Sequence, residues 1–355
     1  MSRQREVLKK LGNYHQQCQN ELKEYLDEEF KKTDKILAIN VVENLEKKIL
    51  NELPTLFEKE KEKEKKEIKY GLAFPVTIGI NDIVAHWTPR INDPTYFTKD
   101  DLIKVDFGFQ WDGYLIDSAF SYSQLPFCEE IIKVSKEATD IGIKMCKVDQ
   151  NIFEIGEEIG ECIENHEIID EKGKLQRLRS IYDLCGHSID RYHLHSGQMI
   201  PNYKIPILIQ EKIRPELRRI QEGYSYAVET FPTNGSNNIV DDEKINFIQQ
   251  CFMFNNLYHK NGPTKEMLKI PEIKFLWDEY GTFSFCQRHI IKDTFNKGLH
   301  IPVIFKGLKE YEKYWNVYPP LKNISENYSK IPIYVAQIEK NVWIDPIQET
   351  SIILT

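Results

Sequence analysis

Four carboxylates stand out in this sequence because each lies in apolar, strand-like text, and a set of histidines accompanies them. Asp106 and Asp117 lie in KVDFGFQWDGYLIDSAF (104–120), Glu229 in AVETF and Glu339 in VAQIEKNV. An ionised carboxylate among apolar strand residues is costly unless it is paired or holds a metal. His187 sits in CGHSID, His193 and His195 in RYHLHSG, and His86 in VAHWTP, before a proline-marked turn. Taken singly, such a histidine is more often structural than a ligand, and a strand glutamate is usually a surface residue. Brought together without metal, four carboxylates would repel and raise one another's pKa. Two divalent cations would balance their four negative charges. Oxygen-dominated ligation with one imidazole suits Mn, Co, Fe or Zn and does not indicate thiolate chemistry.

The elements that must position these groups are written in the same text. Asp112-Gly113 is a two-residue hairpin signal, since a type I′ turn needs φ > 0 at both central positions. With that turn, Trp111 faces Tyr114 and Asp106 faces Ala119. Asp117, two residues from Ala119, then shares a face with Asp106. The two aspartates become diagonal neighbours within reach of one ion. On the hairpin alone, a metal pair and a solvent-facing edge with scattered acids fit equally well. The two glutamates and the histidine shift the balance toward metal.

Residues 1–70 read as a helical, charged N-terminal extension. Ile36, Leu37, Ile39, Val41, Val42, Leu45, Ile49, Leu50 and Leu53 form a stripe at helical spacing, which Pro54 should end. The run EKEKEKEKKE (58–67) has nearly cancelling signs. It reads as a solvated helix or linker, with a ribosome- or partner-docking arm as the alternative. From Tyr70 the texture changes to short β-rich runs, followed by helical text at about 127–165. Strand text returns at 203–209, 224–231 and 333–345, and a helical stretch at about 240–325 lies between the last two. This order describes an α+β fold, with a catalytic domain over 71–355 carrying an inserted helical subdomain.

The 355 residues, 41% hydrophobic and 12% aromatic, suffice for one large domain or two smaller ones. A net charge of −8 argues against direct nucleic-acid binding. Cys18, Cys128, Cys146, Cys162, Cys185, Cys251 and Cys286 contain no C-x-x-C pair. An odd count in a long chain points to reduced thiols, not a disulfide framework. The N-terminus lacks the apolar segment of a secretory signal, and no stretch approaches the roughly 18 apolar residues of a membrane span. The cytoplasm is the expected compartment and a monomer the expected state.

Ten motifs resemble, in order and with compatible gaps, those of the methionine aminopeptidase type 2 family. They are GLAFP (71–75), AHWTP (85–89), KVDFG (104–108), LIDSAF (115–120), CGHSID (185–190), HLHSG (193–197), YAVETF (226–231), YGTFSFC (280–286), VYPPL (317–321) and AQIE (336–339). The resemblance covers about residues 70–345, and the roughly 110 residues between Glu229 and Glu339 are similar to type 2 rather than type 1. It implies the pita-bread fold, with two similar halves and metals in the central cleft. It implies two divalent ions (Co, Mn, Fe or Zn) with Asp106 on one, Asp117 and Glu339 bridging, and His187 and Glu229 completing the other. Glu229 would also shuttle a proton to the leaving nitrogen. His86 and His195 would face the substrate and donate hydrogen bonds to the oxyanion and the scissile amide. Phe74, Leu194, Phe231 and Tyr318 match the lining of the family's methionine pocket.

The implied activity is removal of the initiator methionine from nascent polypeptides whose second residue is small. Nascent N-termini are the implied partners, with the ribosome as a further candidate. In this family the histidine matched by His86 is alkylated by fumagillin-type epoxides. The chain departs from the pattern at Pro232, where a glycine is usual, and at Ser284, where an alanine is expected. Its 198–222 segment is longer than usual, and no pocket histidine aligns cleanly near 250–265, where His259 is a weak match. The rival readings are a related Xaa-Pro peptidase and a non-catalytic relative that binds RNA or ribosomes. The first usually carries a large N-terminal domain, and the second lacks the complete ligand set.

Overall fold

Apolar stripes on two helices and an alternating run on two long strands build the first half of the molecule. The computed structural model describes residues 3–63, 68–169, 173–242, 250–255, 262–294, 301–310, 315–324, 332–346 and 351–355. Helices α1 (Arg3–Phe30) and α2 (Ala38–Leu56) cover a sheet of β1 (Tyr70–Leu72), β2 (Thr77–Ile80), β3 (Ile103–Trp111) and β4 (Tyr114–Tyr122). β3 is central, with β4 along one edge and β1 and β2 in turn along the other, all antiparallel. Val105, Phe107, Phe109 and Trp111 share one buried core with Leu11, Leu26, Val42 and Ile49 of the helices. Burying each such side chain contributes about 1.5–3 kcal/mol. Because side chains alternate along β3, Asp106 and Gly108 project from the opposite face.

The hairpin turn has φ of 50° at Asp112 and 82° at Gly113, the left-handed pair that a type I′ turn demands. Trp111 pairs with Tyr114 and Asp106 with Ala119, the register read from the sequence. Gly113 is needed for a second reason, since a Cβ there would lie 2.5 Å from the Tyr192 ring. Residue 70 marks a change of composition, yet α1 and α2 belong to the same core as the hairpin. α2 passes through Pro54 and ends at Leu56, within one turn of it.

The second half repeats the plan. α3 (Pro126–Met145) and α4 (Ile152–Glu164) precede β5 (Cys185–Ile189), β6 (Met199–Pro201) and β7 (Ser225–Thr230). Asn151 caps α4 by accepting from Phe153 N at 2.9 Å, and Ile152, Ile155, Ile159 and Ile163 bury its inner stripe. The text at 203–209 is not a strand. Pro206 leads into a helical turn at Ile207–Gln210, whose Ile207 and Leu208 are exposed.

The insertion follows, with β8 (Cys251–Phe254), α5 (Pro271–Tyr280), β9 (Phe285–Cys286), α6 (Gln287–Thr294), α7 (Ile301–Glu310) and β10 (Trp315–Tyr318). The helical reading of 240–325 holds for α5 to α7 but fails at the short strands 239–241, 285–286, 315–318 and 321–323, and at 251–254. There a fully buried strand is sandwiched between β9 and β10. A short, continuous apolar run carries no period that separates strand from helix.

β11 (Ile338–Ile344) and β12 (Ser351–Ile353) complete a second antiparallel sheet in the order β6-β5-β7-β11-β12. Side chains join the two sheets. Ser121 Oγ donates to Gln337 O at 2.9 Å and accepts from Gln337 N at 2.8 Å, while Ser118 Oγ donates to Glu339 O. β4 therefore lies against β11. Thr139 Oγ1 on α3 donates to Ile338 O at 3.1 Å and meets Thr230 Oγ1 at 2.9 Å, tying the helix beneath β7 and β11. Among the described residues no helix is long and apolar enough to cross a membrane, and no disulfide joins the cysteines.

Candidate metal centre and its pocket

Each strand around the junction of the sheets delivers one ligand-type side chain to the same place. The hairpin brings Asp106 and Asp117, and Glu229 and Glu339 stand directly opposite each other on β7 and β11. His187 on β5 pairs with Ala227, two residues along β7 from Glu229. Ligand atoms of Asp117, His187 and Glu339 all lie within 4.8 Å of one another, with His187 Nε2 at 3.3 Å from Asp117 Oδ2. Gln337 Nε2 donates to Asp106 Oδ2 at 3.5 Å and to Glu229 Oε2 at 3.4 Å. The sequence reading missed Gln337. Its spacing of two from Glu339 on a strand was the available signal.

The electrostatics of this cluster are those of an unbalanced negative site. Burial raises Asp106 well above its ordinary value, and the neighbouring Asp117 adds to it. Burial raises Asp117 to about 7. Glu229 and Glu339 are pushed up well above theirs by burial and then by the other carboxylates. Asp106 Oδ1 is buried without a hydrogen-bond partner, although such atoms are nearly always satisfied in folded proteins. Burial holds His187 at about 4, so its imidazole is neutral and able to ligate. An oxygen-rich set with one neutral imidazole and an orphaned carboxylate oxygen fits divalent transition metals.

Added Mn or Co is accordingly expected to raise the melting temperature, and by more near pH 8 than near pH 5.5. Unfolded Asp117 titrates near 4 and folded Asp117 at about 7. Between those values the folded metal-free state binds more protons than the unfolded one, so its stability falls as pH rises. Ions must displace those protons, so their effect grows with pH. A thermal shift equal or smaller at pH 8 would count against the metal assignment.

Three imidazoles crowd the site. His86 sits at φ 66°, and its Nδ1 lies 3.2 Å from Pro319 O. A carbonyl only accepts, so Nδ1 carries the proton and Nε2 presents its lone pair. The His86 ring meets Tyr318 edge-on at 5.3 Å, and His195 meets His187 at 4.3 Å. Burial lowers His86 and drives His195 well below the ordinary value, with His187 and His86 adding to the latter. Both rings are neutral near pH 7.

These groups open onto a cavity of about 100 Å³ whose wall includes Phe74, Leu194, Tyr318, Cys251, Met253 and Ser284. Gly108 makes room for the wall, since a Cβ there would lie 2.5 Å from the Phe74 ring. Phe231 does not line the cavity. β7 ends at Thr230, and the Phe231 ring is buried with Val84, Ile181 and Val335. His193 bridges back to Asp190 and lies outside the cavity wall. Cys251 and Met253 are what the 250–265 region contributes among the described residues, and His259 lies outside them. Neither was legible beforehand, because β8 reaches the cavity through pairing that sets Cys251 opposite Tyr318.

Known proteins place this architecture. A model of metallopeptidase family M24 matches residues 9–253. The chain is 32% identical to methionine aminopeptidase 2A of Arabidopsis thaliana over 228 residues, 63% of this chain and 47% of that protein. It thus spans about half the length of that curated relative. Among solved structures, a thermophilic Arx1 superposes with a TM-score of 0.70 at 13% identity, covering 97% of this chain and 89% of that one. A methionine aminopeptidase from Thermotoga maritima gives 0.55 at 17%, covering 99% and 95%. These two likenesses establish the fold, which is the two-halved α+β arrangement that the motif series implies. With the family match covering well over half of its 355 residues, the chain belongs to metallopeptidase family M24.

Proposed function

We propose that this chain is a methionyl aminopeptidase that removes the initiator methionine from nascent polypeptides with a small second residue. Two divalent ions would be held by Asp106, Asp117, His187, Glu229 and Glu339. The observation that carries this is the convergence of those side chains with His86 and His195 on one small cavity. The relatives named methionine aminopeptidase 2 supply the substrate class. On this reading the chain acts as a cytoplasmic monomer that meets its substrates as they leave the ribosome.

The ions, when bound, supply Lewis acidity that activates water and polarises a carbonyl near neutral pH. Glu229 is the carboxylate placed to take up a proton and pass it to the leaving nitrogen. His86 has its proton committed to Pro319 O, so Nε2 accepts from the scissile N–H instead of donating to the oxyanion. That leaves His195 as the oxyanion donor. Phe74, Leu194, Met253 and Tyr318 offer a soft, apolar wall that suits a flexible thioether. Crowding by the two histidines restricts the residue after methionine.

The test is methionine release from a Met-Ala-Ser peptide with added Co, Mn or Fe. Release should cease in EDTA and return on adding the ion, while an Xaa-Pro peptide stays intact. Protein that no ion activates would favour the non-catalytic reading. A second outcome follows from the Nε2 lone pair of His86. A fumagillin-type epoxide is expected to give one covalent adduct by intact-mass spectrometry, lost in His86→Ala. An adduct that persists in that variant would overturn the assignment.

A further inference from the structure

A second group of described residues brings three metal-ligating side chains together, and none of them lines the catalytic cavity. Cys162 lies on the last turn of α4, His166 follows two residues past its end, and Glu137 faces them from α3. One ligand atom from each lies within 4.8 Å of the others. His166 Nδ1 is 2.6 Å from the Cys162 carbonyl, so that nitrogen donates, and in the uncharged ring Nε2 carries the lone pair. Metal-ligating histidines are commonly oriented this way, by a carbonyl on the other ring nitrogen. Nε2 lies 3.5 Å from Glu137 Oε2. A metal ion ligated by both atoms, or a proton on Nε2, would bridge this pair.

We propose that Glu137, Cys162 and His166 bind one thiophilic divalent cation, Zn²⁺ or Cd²⁺, with water as the fourth ligand. The donor set differs in kind from the catalytic one, because a thiolate replaces carboxylates and selects softer ions. Binding breaks the Cys162 S–H bond, sends the proton to solvent and forms the metal–sulfur bond. Thiolate and carboxylate then neutralise the dication, with the imidazole uncharged. Burial and the nearby Glu137 raise the Cys162 pKa, so the thiol keeps its proton until a metal displaces it. The site cross-links α3 to α4, and α3 is hydrogen-bonded to the strands that carry Glu229 and Glu339. Its role is to brace that sheet, not to enter the reaction.

The rival bridge is a proton on His166, which would make the group a plain surface ion pair. The experiment is a Cd²⁺ titration of the full chain preloaded with Mn, read by the ultraviolet thiolate-to-cadmium charge-transfer band. One thiolate-bound cadmium per chain is expected. The band should vanish in Cys162→Ser, and the affinity should fall by at least roughly tenfold in His166→Ala. Asp117→Asn should leave it unchanged, and Cys162→Ser should keep wild-type peptidase activity, which also shows that it folds. Absence of the band in the wild type would overturn the proposal. Its survival in Cys162→Ser, or an unchanged affinity in His166→Ala, would do so as well.

Discussion

Asp106→Asn and Glu339→Gln are each expected to abolish methionine release, lowering kcat/KM by about a thousandfold or more, the equivalent of about 4 kcal/mol. Each substitution removes a negative charge from a set whose four carboxylates would balance the two proposed dications. Asp106 Oδ1 has no other partner to compensate. Glu339 is directly opposed to Glu229 across the strand pair, so its loss unbalances both halves of the cluster. Misfolding is distinguishable from lost chemistry. Without metal, Glu339→Gln relieves repulsion among buried carboxylates, and its melting temperature should equal or exceed that of the wild type. With metal the order should reverse. Release that survives in both variants, or persists in EDTA, would sink the two-metal assignment.

Glu46→Ala is expected to cost about 3–5 kcal/mol of folding stability, measured by urea unfolding. Glu46 is buried on α2 and accepts from Arg288 Nη2, from His289 Nε2 at 3.0 Å and from Val76 N at 3.3 Å. Arg288 is fully buried on α6 and also donates to Pro89 O at 2.6 Å and Thr88 Oγ1 at 3.1 Å. Truncating Glu46 leaves that guanidinium buried and uncompensated. Burial alone would raise the Glu46 pKa, but His289 and Arg288 hold it down at about 2. Its contribution is therefore complete above the unfolded value of 4.5 and is lost as pH falls toward 2. Glu46→Gln keeps an acceptor and should cost less. Because Thr88 and Pro89 follow His86 closely in the chain, Glu46→Ala should also impair epoxide labelling. A loss below about 1 kcal/mol would show that the ion pair does not hold these three segments together.

What could be read from the chain alone was local. The Asp112-Gly113 turn and the alternation on either side of it are sufficient to put Asp106 opposite Ala119 and on the face of Asp117, because turn chemistry and a period of two act over a few residues. An amphipathic stripe likewise announced α2, and the text at about 127–165 read as helical where α3 and α4 lie. Glu229, Glu339 and His187 were visible as misplaced polar residues, and the motif series assigned them as ligands. The direct opposition of Glu229 and Glu339 across β7 and β11, however, is strand pairing between residues 110 apart, which no local pattern encodes.

The pocket wall depended on folding more completely. Cys251 and Met253 lie in a short apolar run with no diagnostic period, and only pairing with β10 carries them to the cavity. Phe231, two residues from Glu229, is turned into another cluster because its strand ends first. The His86 proton is placed by the Pro319 carbonyl, 233 residues away. Residue types and short-range spacing thus set which chemistry is present. The directions in which those groups point, and the space left between them, come from contacts between distant segments that form only when the chain is packed.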